Sequence, residues 1–481
     1  MLQDLINASP LSILSLLSVI CIVVDALTPK SERLTFMFAG FSMLASMVLA
    51  VATYWTHGTA FQGMINVGGY ASFFDVVFCL AGILTLFAAR PYILRESIEH
   101  DEFYSLTLFA VAGMSVIAHA NNLLMTFIGI EIMSVCFYVL AGYFRTNERS
   151  VESALKYFLL GAFATGFLVF GMSFVYGSTG SLDYTVIREH VQSSVLNFPR
   201  LLALGTGLIV IGLGFKVAVV PFHQWVPDVY EGSPTVVTSF MSTAGKAASL
   251  CALIPLIGIV VPHGSHAQLQ GALAVLSALT MIVGNVTAVV QKNVKRMLAY
   301  SSVAHAGYLL IGFVAMNERG SSGILFYAVA YMFMQMGAFV VVSVLESSDN
   351  GRLSLDDYAG LSRRHPVLAS LMALFMFSLA GIPPMAGFFG KYTLFVAAVE
   401  AGYTWLTIVA VISSMISVYF YIGLVVLMYF KDPVEEIPVQ RDGGTAGFTL
   451  FVCTAFVLIL GLFPGLLSSI ASHVLHCTVP S

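Results

Sequence analysis

The chain has 481 residues, 58% of them hydrophobic and only 10% charged. A soluble domain carries about 25% charged residues, so this deficit excludes a water-covered globule and leaves a chain that places most of its length in lipid. The formal net charge of −4 discriminates little; the positions of the charges carry the information.

Apolar runs recur along the whole sequence, separated by short polar breaks, and about 20 apolar residues suffice to cross the hydrocarbon core. Fourteen spans are predicted, near 11–27, 34–55, 71–89, 103–119, 122–143, 153–177, 201–231 (interrupted), 234–260, 268–290, 295–316, 322–346, 366–399 (interrupted), 403–430 and 446–470. The first run is too long for a signal h-region and is read as a retained span. A segment in lipid must satisfy its own backbone groups, which makes every span a helix. The predicted fold class is therefore an all-α polytopic membrane protein.

Alternating the loops places Lys30, Arg33, Arg90, Arg95, Arg145, Arg149, Lys292, Lys295, Arg296, Arg352, Arg363, Arg364, Lys431 and Arg441 on one side, and only Arg188, Arg200 and Arg319 on the other. Positive residues stay on the cytoplasmic side. This asymmetry supports the span count and predicts that both termini face away from the cytoplasm. Four basic residues remain, Lys156, Lys216, Lys246 and Lys391, and all fall within predicted spans. An ionisable group at the centre of a span costs roughly 2.5–3.5 kcal/mol on insertion scales and is a functional candidate by default.

In chain order, Glu131 is the first such group. It lies nine residues past Asn122, about 13 Å along its helix and near mid-membrane. A proton-path carboxylate and a structural carboxylate paired with a neighbouring helix are the two readings. Lys156 follows Glu152 by four residues, so an ordinary i,i+4 pair also explains it. Lys216 precedes Pro221 and Pro227, each of which removes a backbone donor and disrupts the helix. A broken helix inside a bilayer is tolerated only where protein or a water-filled cavity satisfies the freed groups. His223 in this break is read as structural. Lys246 lies twelve residues past Pro234, with Ser239, Ser242 and Thr243 on the preceding turns. His305 lies nine residues beyond Arg296, with Ser301 and Tyr308 on the same helical face; it suits either a relay or a hydrogen-bonded core position. Lys391 follows a second break made by Gly381, Pro383, Pro384 and Gly387.

The two breaks lie about 162 residues apart, and the spans starting near 103 and 268 about 165 apart. Gly/Pro-interrupted segments at matching places in two halves mark inverted-repeat transporters. Desolvation lowers the pKa of a lysine and a nearby carboxylate raises it, so Glu131 could switch Lys216 between holding and releasing a proton. Lys216 would then exchange protons through water with Lys246, His305 and Lys391.

Cys21, Cys79, Cys136, Cys251, Cys453 and Cys477 form no CxxC pair or Cys/His cluster, so no iron–sulfur site, metal or disulfide framework is expected. No phosphate-binding glycine motif is present, and neither a nucleotide nor nucleic acid is expected as a ligand.

Three segments, VPFHQWVPDVYEGSPT, KRMLAYSSVAHAGY and LAGIPPMAGFFGKY, each combine several polar and Gly/Pro positions. With them the sequence resembles the subunit N family of the proton-translocating NADH–quinone oxidoreductase, respiratory complex I, over nearly the whole chain. The resemblance implies fourteen helices with two inverted five-helix repeats, each holding a discontinuous helix. The segments would be 1–102 (helices 1–3), 103–260 (first repeat), 268–430 (second repeat) and 431–481 (helix 14). It implies Glu131 and Lys216 as a pair, Lys246 as the linking lysine and Lys391 as the far lysine, with Lys156 and His305 on family positions of secondary rank. It implies no cofactor in this chain, with FMN, iron–sulfur clusters and quinone held by other subunits. The implied partners are other membrane-arm subunits, including a paralogous antiporter-like subunit and small membrane subunits, and the lipid of a bacterial plasma (inner) membrane. The chain stops soon after its fourteenth span and carries Lys391 rather than a glutamate, which separates it from the paralogous subunits L and M. The alternatives are a subunit of an Mrp-type cation/proton antiporter, or a scaffold that moves no protons.

Overall fold

The computed structural model describes residues 2–27, 32–95, 102–192, 198–260, 266–346, 351, 353–433 and 444–476. Lys30, Arg352, Arg441 and Cys477 lie outside the described residues. Helices α1 (Leu2–Asn7), α2 (Ser9–Leu27) and α3 (Glu32–Thr53) precede a short antiparallel hairpin, β1 (Gly58–Ala60) and β2 (Ile65–Val67). Next come α4 (Gly69–Arg95), α5 (Glu102–His119), α6 (Leu123–Ala141), α7 (Glu148–Thr179), α8 (Tyr184–Gln192), α9 (Pro199–Val217) and α10 (Trp225–Gly232). Helix α11 (Thr235–Phe240) runs through a π turn (Met241–Gly245) into α12 (Lys246–Val260). The remainder is α13 (His266–Val289), α14 (Val294–Ala315), α15 (Glu318–Leu345), a 3₁₀ turn, α16 (Leu361–Arg364), α17 (Pro366–Ala380), α18 (Ala386–Glu400), α19 (Thr404–Phe430), α20 (Thr445–Leu462) and α21 (Pro464–His476).

Thirteen of the described helices are long and apolar enough to cross a membrane, and α17 is a shorter apolar helix. Taken with α18 as one broken span, α17 completes the fourteen expected, and the protein is an all-α multi-pass membrane protein. The last span ends earlier than predicted. It stops at Leu462, and α21 begins at Pro464, because proline lacks the donor that would continue the helix. The hairpin and the short amphipathic α8 were not anticipated; both are too polar or too short to register in a hydropathy window.

Helices α14 and α15 are buried along almost their whole length, whereas α2, α3, α7, α19 and α20 expose one apolar face. A helix apolar all round belongs in the middle of a membrane bundle. Small residues bring neighbouring helices close: a Cβ on Gly171 of α7 would lie 2.7 Å from the carbonyl oxygen of Gly205 on α9, the packing typical of membrane helices.

The same local devices recur in two halves. Asn122 caps α6 and Asn147 caps α7; Asn293 caps α14 and Asn317 caps α15, each side chain accepting from the first backbone N–H groups. Asn is a strong N-cap because its side-chain oxygen satisfies an orphan helix donor. Asn122 also bridges to Asp183, and Asn293 to Ser354. Asn293 follows Asn122 by 171 residues, and Ser354 follows Asp183 by the same interval.

Candidate functional site

The two interrupted helices have one design. Ala218 (φ 73) ends α9 and Gly381 (φ 86) ends α17, both in the left-handed conformation, and each turn has a cis X-Pro bond three residues later, at Pro221 and Pro384. At both ends the left-handed residue and its successor donate back to the last turn, Val219 N to Gly214 O at 2.9 Å and Ile382 N to Phe377 O at 3.0 Å. This Schellman-type closure satisfies carbonyls that a helix end otherwise leaves bare. Pro227, by contrast, sits inside α10 near its start, where its missing donor costs nothing. Pro383 precedes the cis bond of the second turn.

The structure places the sequence-predicted lysines differently around these breaks. Lys216, in the last turn of α9, turns to α6: its Nζ donates to Ser134 Oγ at 2.8 Å and Tyr138 OH at 3.1 Å. Glu131 lies one turn before Ser134 on that helix and accepts from Thr165 Oγ1 of α7 at 2.8 Å. The expected Glu131–Lys216 pair is therefore not a direct ion pair; Lys216 binds Ser134, three residues after the carboxylate and on the same face of α6. Lys391, on α18, donates to the carbonyls of Leu379 and Ala380 at 3.1 Å each and to Ser414 Oγ at 3.0 Å. It caps the negative end of the half-helix dipole of α17.

Lys246 follows directly on the π turn. Its Nζ reaches Ser302 O at 2.5 Å and Ser302 Oγ at 2.6 Å and lies 5.4 Å from the ring centroid of Tyr331. Ser242 and Thr243, on the turns preceding Lys246 as expected, donate to Ser239 O in their own helix. A single π turn inside an α-helix is a frequent mark of a functional site. On the next turn of α14, His305 is held from both ring nitrogens, Nδ1 by Tyr327 OH at 2.6 Å and Nε2 by Tyr421 OH at 3.1 Å. Tyr421 OH also hydrogen-bonds Ser301. Tyr308 presents its ring face to Lys391 Nζ at 4.7 Å. All three lysines and His305 are buried, Lys216 being the most open at 8%.

Lys156 stands apart. It is 42% exposed and pairs with Glu152 and with Asp228 at 2.8 Å each. Asp228 also accepts from Arg296, which in turn binds Glu231 at 2.7 Å. These groups line a cleft of about 270 Å³. The local pair expected from spacing is present, but Asp228 joins it from α10, a partner 72 residues away that no spacing rule reaches. His223, in the first break, has an Nδ1 without a partner among the described residues.

Sequence reasoning missed three groups. Lys295 was counted with the loop residues, yet its side chain is wholly buried, donates to Ser233 O at 2.8 Å and lies 3.7 Å from Glu346. Trp225 donates from Nε1 to Phe215 O at 3.0 Å, inside the first break. Tyr421 links Ser301 to His305. An aromatic residue in an apolar span carries no signal by itself; only a hydroxyl or indole with a buried partner does. Among the described residues, no group of three or more His, Cys, Asp or Glu side chains could hold a metal ion.

Residues 120–417 match the family model described as NADH:quinone oxidoreductase/Mrp antiporter, TM. The chain is 42% identical over 477 residues to NADH-quinone oxidoreductase subunit N 1 of Chloroherpeton thalassium, covering 99% of both sequences. A chain in the structure of respiratory complex I from Thermus thermophilus with bound aureothin has a TM-score of 0.83 at 34% identity, covering 96% of this chain and 99% of that one. A chain of the Mrp complex from a Dietzia species has a TM-score of 0.85 at 20% identity, covering 99% of this chain and 98% of that one, a likeness of fold. The chain belongs to the NADH-quinone oxidoreductase subunit N family, membrane subunits of proton-coupled respiratory and antiporter complexes.

Proposed function

We propose that this chain is a proton-translocating subunit of NADH–quinone oxidoreductase in a bacterial inner membrane, driven by electron transfer from NADH to quinone in other subunits. The observation that carries this reading is a sequence of ionisable and hydroxyl groups through the buried helices, from Glu131, Ser134 and Lys216 through Lys246 and Ser302 to His305, Tyr421 and Lys391. A scaffold would gain nothing from the insertion cost of these groups. Within each cluster the proton passes along hydrogen bonds, and water carries it between clusters. Glu131 acts on Lys216 through the shared face of α6; moving its charge changes how firmly Lys216 holds a proton. Lys156 and His305 serve in secondary roles, at the cleft and in the hydroxyl network.

The two halves, 103–260 and 268–430, act as inverted repeats, preceded by 1–102 and followed by 431–481. The recurring Asn caps and matched breaks support this division. Both termini face away from the cytoplasm, and the neighbours are other membrane-arm subunits, a paralogous antiporter-like subunit among them.

The test is turnover-linked proton pumping by the assembled complex in vesicles. Glu131→Ala and Lys216→Ala are each expected to lower protons moved per NADH; if both pump normally, the mechanism is wrong. The Mrp-type reading draws on the shared fold. Membranes lacking the chain discriminate: loss of NADH-driven quinone reduction supports the oxidoreductase, and loss of sodium tolerance alone supports the antiporter.

A further inference from the structure

Two ionisable pairs are buried away from the lysine sequence. Lys295 and Glu346 lie 3.7 Å apart; Tyr92 and Thr235 donate to Glu346 Oε2 and Lys295 donates to Ser233 O, which ties the starts of α11 and α14 to the ends of α4 and α15. Asp75 and His119 are built differently. Asp75 lies six residues into α4, and His119 is the last residue of α5; both side chains are wholly buried, with Nε2 and Oδ2 2.8 Å apart. Removing an ion pair from water costs several kcal/mol per ion. Two amides could make the same hydrogen bonds at less cost.

The contacts fix where the protons are. His119 Nδ1 lies 2.7 Å from the carbonyl oxygen of Asn66, which can only accept, so Nδ1 carries a hydrogen. Ser115 Oγ donates to Asp75 Oδ1 at 2.5 Å. The Nε2···Oδ2 line then holds one further proton or none. With it, the pair is an imidazolium and a carboxylate, net neutral. Without it, two lone pairs would face each other across 2.8 Å, and the buried site would carry a net charge of −1. The observed geometry is that of the loaded pair.

Hydrogen bonds continue outward from the pair through Asn66, and on the inner side its helices α4 and α5 pack against α12, the helix of Lys246. On the inner side, Tyr70 of α4 donates to Cys251 O at 2.8 Å, on the helix that carries Lys246 five residues earlier. On the outer side, the side chain of Asn66 donates to half-buried Asn121 at 3.3 Å, which donates to Gly63 O at 2.9 Å. That end of the molecule is the one opposite Arg90, Arg145 and Arg296. The groups around the pair are Ser115 on α5, Tyr70 and Cys79 on α4, Cys251 on α12 and the peptide of Asn66; no second charged side chain hydrogen-bonds or ion-pairs with either member among the described residues.

We infer that Asp75 and His119 form a proton-holding outlet site, which takes up a proton on the Lys246 side and releases it to the aqueous face opposite the basic loops. Release leaves a neutral imidazole and a carboxylate, and the proton passes to water beside Asn66 and Asn121. This rests on the proton-path reading above. The test compares Asp75→Asn, His119→Gln and Lys246→Ala in the assembled complex in vesicles, measuring protons delivered per NADH. Asp75→Asn and His119→Gln are expected to lower the yield to the level of Lys246→Ala. If Lys246→Ala alone lowers it, the outlet site is wrong and the path stands; if none of the three does, the path itself fails. Asp75→Glu keeps a carboxylate and serves where the other variants do not assemble. It is expected to shift the dependence of pumping on the pH of the receiving side, and an unchanged profile overturns the outlet site.

Discussion

The first and second helix breaks share a turn and differ in what their lysines do. At the second, Lys391 donates into the break, to the carbonyls of Leu379 and Ala380. At the first, the indole of Trp225 donates to the carbonyl of Phe215, and Lys216 is left to reach α6 and the face that carries Glu131. A neutral donor in place of an ammonium thus leaves one lysine to the hydroxyls of Ser134 and Tyr138 on a neighbouring helix. The other lysine is committed to a helix end, where its charge complements the dipole. The left-handed residues follow the same division. A Cβ at Gly381 would lie 3.1 Å from Lys391 Cδ, whereas Ala218 occupies the matching place with its lysine directed elsewhere.

Five variants sharpen this contrast. Lys391→Ala is expected to destabilise the complex by about 1–3 kcal/mol more than Lys216→Ala, because it leaves the carbonyl of Leu379 without its side-chain donor and that of Ala380 with only the long bond from Ser414, while Ser134 and Tyr138 are hydroxyls that can accept or donate. Thermal unfolding of the purified complex measures the difference, and equal shifts would remove the distinction between the two lysines. Gly381→Ala is expected to cost about 1–3 kcal/mol through its positive φ and to displace Lys391; Ala218→Gly should be neutral or slightly stabilising, since glycine adopts that conformation freely. Trp225→Phe is expected to cost about 1 kcal/mol for one lost hydrogen bond. A lower proton yield in that variant would indicate that Lys216 has turned back to the vacated carbonyl, which proton pumping at unchanged NADH oxidation would reveal.

The spans were legible because lipid demands long apolar runs, and the four lysines because charged residues are sparse within those runs. The breaks were legible because Gly and Pro cluster in both. What the chain did not disclose are pairings across distance. Lys295 and Arg296 are neighbours in sequence, yet one is wholly buried against Glu346 and the other lines a cleft with Asp228. Adjacent helical residues point about 100° apart, and only the packing decides which direction is inside. Asp75 and His119 lie 44 residues apart on separate helices, so no local spacing joins them. That Lys216 binds Ser134 and Tyr138 rather than Glu131 depends on how α9 packs against its neighbours, which hydropathy does not contain.

The π turn before Lys246 has a further consequence, one of phase. It carries one residue more per hydrogen-bonded ring than the α-helix on either side, so Thr235 and Lys246 belong to separately timed stretches of one rod. The first meets Glu346 and the second Ser302. Losing a single residue between them would swing one contact away from the other by about 100°. At this place the number of residues is under tighter constraint than their identity: an exchanged side chain alters a contact, whereas a deleted residue turns the lysine toward a different helix.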